Sequence, residues 1–126
     1  MNGSDFVLAD TNALIHFLLG NPNVFHLLAD KTIYISFVTE IEIQSKKEQS
    51  KADRHLVKSL LQDCIIIDIN ETIKQLAIKL RRQRSIKTPD AIIVATAQYL
   101  DLPLITGERS FSKIPNLSLL LFESTF

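Results

Sequence analysis

The chain has 126 residues, 46% hydrophobic and 22% charged, with 3 Gly and 4 Pro, which suits one domain with a real core and excludes a low-complexity chain. Its 14 Lys and Arg residues balance 14 Asp and Glu, so overall charge gives no argument for a nucleic-acid partner. The single cysteine, Cys64 in the run CIIIDI, excludes an internal disulfide and a multi-cysteine zinc site, and reads as a buried core thiol.

Phe6–Ala9 (FVLA) is a short apolar run that predicts a buried strand, followed by Asp10. Asn12–Leu19 carries Ala13, Leu14, Phe17 and Leu18 at helical spacing, and Gly20-Asn21-Pro22-Asn23 breaks it. Val24–Ala29 is long enough for one or two helical turns. Ile33–Phe37 (IYISF) predicts a second strand. Thr39 then reads as an N-cap with Glu42 at capping-box spacing, opening a polar helix to about Lys47. Asp53–Leu61 has an amphipathic stripe of Leu56, Val57, Leu60 and Leu61. Cys64–Ile69 predicts a third strand, and Asn70 caps a helix reaching about Arg84. Thr88-Pro89-Asp90 is a helix start: a cap, Pro at the first helical position, and an acid in the first turn. The helix from Asp90 to Leu100 is apolar nearly all round and is expected to be deeply buried. Leu104-Ile105 and Leu119–Phe122 complete five strands.

Apolar strands separated by helices predict an α/β fold, a parallel sheet with helices on both faces, within a single domain over residues 1–126. Ligands of such sheets bind beyond the carboxyl ends of the strands. Four acids fall at positions that can face that edge: Asp10 after the first strand, Glu42 past the second, Asp90 opening the buried helix, and Glu108 past the fourth. Four carboxylates together repel unless a cation or shared protons intervene, and an oxygen-only set suits Mg²⁺ or Mn²⁺. Each acid also has a plain structural role open to it. Asp10 can cap a helix, Glu42 can close a capping box, Asp90 can answer a helix dipole, and Glu108 can be a solvated loop residue. From Lys74 to Lys87 stand six cations and no acid, among them Arg81, Arg82, Arg84 and Lys87. They suit the C-terminal end of a helix, and they also lead directly to Asp90, where they can bring phosphates toward the acids.

The segments Asp10-Thr11-Asn12, ISFVTEIEI with Glu42, and TPDAIIVATAQYLDLPLIT with Asp90 resemble, in order and at similar spacing, the PIN-domain ribonucleases, especially the small VapC-like toxins of toxin–antitoxin pairs. The resemblance implies a three-layer α/β/α fold with a central, mostly parallel five-stranded sheet. It implies that Asp10, Glu42 (six residues after Ser36) and Asp90 are metal-binding, catalytic acids, with Asn12 and Thr106 as supporting polar residues. The fourth acid corresponds to Glu108, with Ser110 where a further aspartate often stands in the family. The implied activity is Mg²⁺- or Mn²⁺-dependent endoribonuclease cleavage, with a cognate antitoxin as partner and a homodimer as assembly, to which the apolar composition adds a faint hint. A second reading is a catalytically degenerate PIN-like domain that binds RNA or protein. A third, an aspartyl-phosphate enzyme, wants a second Asp at position 12, where this chain has Asn. MNGSDF lacks the basic and apolar regions of a signal peptide and no apolar run approaches a membrane span, so the expected compartment is the cytoplasm.

Overall fold

The computed structural model describes residues 5–123. Among these, five strands and six α-helices run in the order β1 (Phe6–Ala9), α1 (Thr11–Leu18), α2 (Pro22–Leu28), β2 (Thr32–Ser36), α3 (Phe37–Gln44), α4 (Lys51–Gln62), β3 (Ile65–Ile67), α5 (Glu71–Gln83), α6 (Thr88–Leu100), β4 (Leu104–Thr106) and β5 (Leu119–Leu121). A 3₁₀ turn at Arg109–Lys113 links β4 to β5. The strands form one sheet in the order β3-β2-β1-β4-β5, parallel at every pairing rather than mostly so.

Side chains alternate across a strand, and the core divides accordingly. Val7 and Ala9 of β1, Ile33 and Ile35 of β2 and Ile105 of β4 join Leu14, Val24, Leu28, Val57 and Leu61 on one face. Leu8 and Leu104 point the other way and pack with Ile73, Ala77, Leu80, Ile93 and Val94 of α5 and α6. The sheet is thus covered by α1, α2 and α4 on one side and by α5 and α6 on the other. Burying each large aliphatic side chain contributes roughly 1.5–3 kcal/mol. The expected deep burial of α6 is observed from Ala91 to Ala97, apart from half-buried Ile92.

Three local expectations are corrected. Ser36, not Thr39, caps α3: its Oγ accepts from Val38 N at 3.1 Å, and the helix starts at Phe37. Thr39 lies buried inside the helix, so no capping box with Glu42 forms. Lys87 occupies the cap position of α6 without a side-chain cap bond, which makes Thr88 the first helical residue. β3 is an edge strand with Ile65 and Ile66 exposed, and Cys64 before it is half-buried. Burial and the neighbouring Asp63 charge push the Cys64 thiol up to about 11, which keeps it protonated and unreactive at neutral pH.

The chain runs outward from β1 through β2 to β3, then returns to β1's other side with β4 and β5. The gap beyond the carboxyl ends of β1 and β4 is therefore the topological switch point, where open α/β sheets place their ligands.

Candidate active site

Asp10 stands at that switch point because strand pairing carries it there. Its N–H donates to the Ile105 carbonyl at 3.1 Å, extending the β1–β4 ladder one residue past β1. Its Oδ1 accepts from Ala13 N at 2.8 Å and caps α1. Capping and ligation do not exclude each other, since a carboxylate has two oxygens. Burial pushes the Asp10 carboxyl up to about 6. Hydrogen bonds from Thr106 and Ala13 oppose that shift, and the charges of Asp90 and Glu108 add to it.

Thr106, fully buried at the end of β4, joins two of the acids: its hydroxyl serves Asp10, and its Oγ1 accepts from Glu108 N at 3.0 Å. Glu108 caps the 3₁₀ turn, its Oε1 accepting from Ser110 Oγ at 2.8 Å and Ser110 N at 3.3 Å. Asp90 enters from the first turn of α6. Its carboxyl is raised by burial first, then by the charges of Glu42 and Glu108, while Lys87 draws it down. Glu42 is reached from α3, its Oε1 accepting from Thr11 Oγ1 at 2.6 Å.

Asp10, Asn12, Asp90 and Glu108 line one cleft, walled by Gly107, Phe111 and Phe122. Gly107 packs closely there: a Cβ would come to 3.3 Å from the Phe122 ring, which would then have to shift. Glu42 stands outside this lining and joins the group through its charge on Asp90. The four acids marked in the sequence thus come from four separate segments to one sheet edge. Thr11, Phe111 and Phe122 also stand at the site without a role that the sequence pattern assigns, and Ser110, where the family often has an aspartate, bonds Glu108. The hydroxyl of Thr11 beside Asp10 was a usable signal; the two aromatic walls look like ordinary core residues in the sequence.

The cations divide into two kinds. Arg81 Nε donates to the Ile86 carbonyl at 3.0 Å, and half-buried Arg84 donates through NH1 to the Lys113 carbonyl at 3.3 Å. These two arginines brace the loop that leads into α6. Arg82 and Lys87 are exposed and make no hydrogen bond or ion pair among the described residues. His16 sits on α1 with its ring edge-to-face on Phe122 at 5.4 Å.

Among the described residues, no three His, Cys, Asp or Glu side chains close into a ready-made metal cage. The donor chemistry nonetheless fits a hard divalent ion. All four groups are carboxylates; burial raises the carboxyls of Asp10 and Asp90 first, and the neighbouring acids add to both shifts, a charge that a cation offsets. Mg²⁺ takes one or two carboxylates and keeps several waters, so it does not require a closed cage.

The family model for the PIN domain matches residues 7–117. Among solved structures, the chain is similar to one in a toxin–antitoxin complex from Klebsiella pneumoniae, with 32% identity, TM-score 0.77, and coverage of 90% of this chain and 95% of that one. It shares the fold of a chain in VapBC2 from Rickettsia felis bound to a promoter DNA fragment, at 24% identity and TM-score 0.80, covering 94% and 99% of the two chains. The same holds for DNA-bound VapBC from Salmonella typhimurium, at 22% identity and TM-score 0.73, covering 92% and 96%. No curated protein matches the chain significantly. With the family model spanning most of its length, and with neighbours of this kind, the chain belongs to the PIN-domain family and resembles its small VapC-like toxin members.

Proposed function

We propose that this protein is a Mg²⁺- or Mn²⁺-dependent endoribonuclease, the toxin of a toxin–antitoxin pair. The observation that supports this reading is the convergence of Asp10, Asp90 and Glu108 from separate segments in one cleft at the switch point of the sheet, with Glu42 near enough for its charge to act on Asp90. Asp10, Glu42 and Asp90 would hold the divalent ion, with Glu108 assisting. When bound, such an ion acidifies a coordinated water and offsets charge on the phosphate under attack. The protein's own part is to orient and to exclude. Thr106 and the Ala13 N–H fix the Asp10 carboxylate, Phe111 and Phe122 wall the cleft, and Asn12 is placed to steer a water or a phosphate oxygen. Arg82 and Lys87 would contact RNA phosphates, with Arg81 and Arg84 chiefly holding the loop that presents them. RNA as the substrate and the cytoplasm as the compartment rest on the family resemblance; no helix among the described residues is long and apolar enough to cross a membrane.

An antitoxin partner is supported by the Klebsiella neighbour, whose structure is a toxin–antitoxin complex. An apolar groove between α1, α3 and α4, with Ile15, Leu19, Ile43 and Leu56 along it and Glu42 in its wall, suits an amphipathic segment of such a partner. A homodimer completes the proposed assembly.

Substituting Asn for Asp10 or for Asp90 is expected to abolish RNA cleavage while circular dichroism stays native. Cleavage undiminished in both variants would overturn the reading. One observation favours a degenerate, binding-only domain instead: Glu108 spends Oε1 on Ser110, in a loop without a second acid. Calorimetric titration with Mn²⁺ separates the two, because a degenerate site gives no measurable binding.

A further inference from the structure

Thr11 is the first helical residue of α1, next to Asp10 in the chain. Its Oγ1 lies 2.6 Å from Glu42 Oε1 and 3.1 Å from Thr39 Oγ1. A hydroxyl has one proton. The short contact to a charged carboxylate takes it, since charge-assisted bonds are the stronger ones. The buried Thr39 hydroxyl is then left to complete the hydroxyl pair as donor. Glu42 lies on an exposed face of α3 and forms no ion pair among the described residues, where the one salt bridge is Arg109–Glu123. Nothing else among the described residues holds its side chain, and Oε2 has no protein partner there.

We propose that Thr11 is the positioning residue for Glu42: its hydroxyl, backed by Thr39, selects the rotamer in which that carboxylate joins the acids at the sheet edge. Thr11 is suited to this role by its own stiffness. A helical threonine has only two favoured χ1 rotamers, and the contacts to Glu42 and Thr39 select one of them, which places the hydroxyl before any ligand arrives. The bond also ties the start of α1 to α3, so the segment that carries Asp10 and the one that carries Glu42 keep one spacing. The role in ion binding rests on the functional reading above; the role in fixing Glu42 does not.

The test is Mn²⁺ affinity, by calorimetry on metal-free protein, through a cycle of Thr11→Val, Glu42→Gln and the double variant, with Thr11→Ser as the conservative control. Loss of a group that orients a metal ligand typically weakens affinity about tenfold or more. Thr11→Val is expected to show such a loss, Thr11→Ser to keep near wild-type affinity, and Thr11→Val to add nothing once Glu42 is Gln. Equal affinity of Thr11→Val and wild type would overturn the proposal, as would an equal loss in both backgrounds. A second measurement needs no fold-threatening substitution: side-chain couplings by nuclear magnetic resonance are expected to show one dominant Glu42 rotamer in the metal-free wild type, and averaging over several would overturn the assignment. Wild-type protein that binds no Mn²⁺ would instead count against the functional reading, with the rotamer measurement still deciding the role of Thr11.

Discussion

The Asp10 N–H donates to the Ile105 carbonyl across 3.1 Å, so the residue that caps α1 is also the last rung between β1 and β4. Burial of this carboxyl, against the opposing hydrogen bonds from Thr106 and Ala13, raises its proton affinity to about 6 from 3.8.

That shift sets a direction for stability. Between pH 3.8 and about 6 the folded state keeps a proton on Asp10 that the unfolded chain has released. The metal-free protein therefore loses stability as pH rises through this window, by on the order of 2–3 kcal/mol from this group. Asp90, raised as well, works in the same direction. Asn caps a helix as well as Asp does, so Asp10→Asn is expected to melt several degrees higher than wild type at pH 7.5 in chelator. The difference between the two is expected to shrink as pH falls below 5. A variant less stable than wild type at pH 7.5 would contradict this account of the Asp10 environment.

Ser36 decides where α3 begins, and so where Glu42 falls. Removing its buried cap bond to Val38 N with Ser36→Ala is expected to cost about 1 kcal/mol in urea unfolding. Thr39→Ala leaves that cap intact and is expected to act through lost packing and the lost hydroxyl pair instead. Urea curves that show no loss for Ser36→Ala would return the start of α3 to Thr39.

The cations are expected to separate by experiment as they do by structure. Arg82→Ala is expected to weaken RNA binding and lower the salt dependence of log K by roughly one counterion, with thermal stability unchanged. Arg84→Ala is expected to lower stability first, because its guanidinium holds the Lys113 carbonyl. Equal salt slopes for wild type and Arg82→Ala would remove Arg82 from the RNA face.

Much of this arrangement was legible in the residues. Continuous apolar strands and the apolar α6 announced a parallel sheet covered on both faces, and the positions of Asp10 and Asp90 followed from strand ends and a helix start. What stayed hidden has physical causes. Phe37 and Val38 extend the apolar run of β2, so the strand seemed to continue through what is the first turn of α3, and Thr39-x-x-Glu42 mimicked a capping box. Ile65 and Ile66 are as apolar as any buried strand, and only the strand order makes them edge residues. Thr11 bonds a partner 31 positions away, a pairing that no local pattern announces.

In the function proposed here, these acids serve water-driven, divalent-ion-dependent cleavage of RNA. The most direct measurement is the chemistry of the product ends, using labelled single-stranded RNA with Mg²⁺ or Mn²⁺, beside an EDTA control and the Asp90→Asn variant. The wild type is expected to give 5′-phosphate and 3′-hydroxyl ends, with no product in EDTA or from Asp90→Asn. Products carrying 2′,3′-cyclic phosphates, or cleavage that persists in EDTA, would contradict that function.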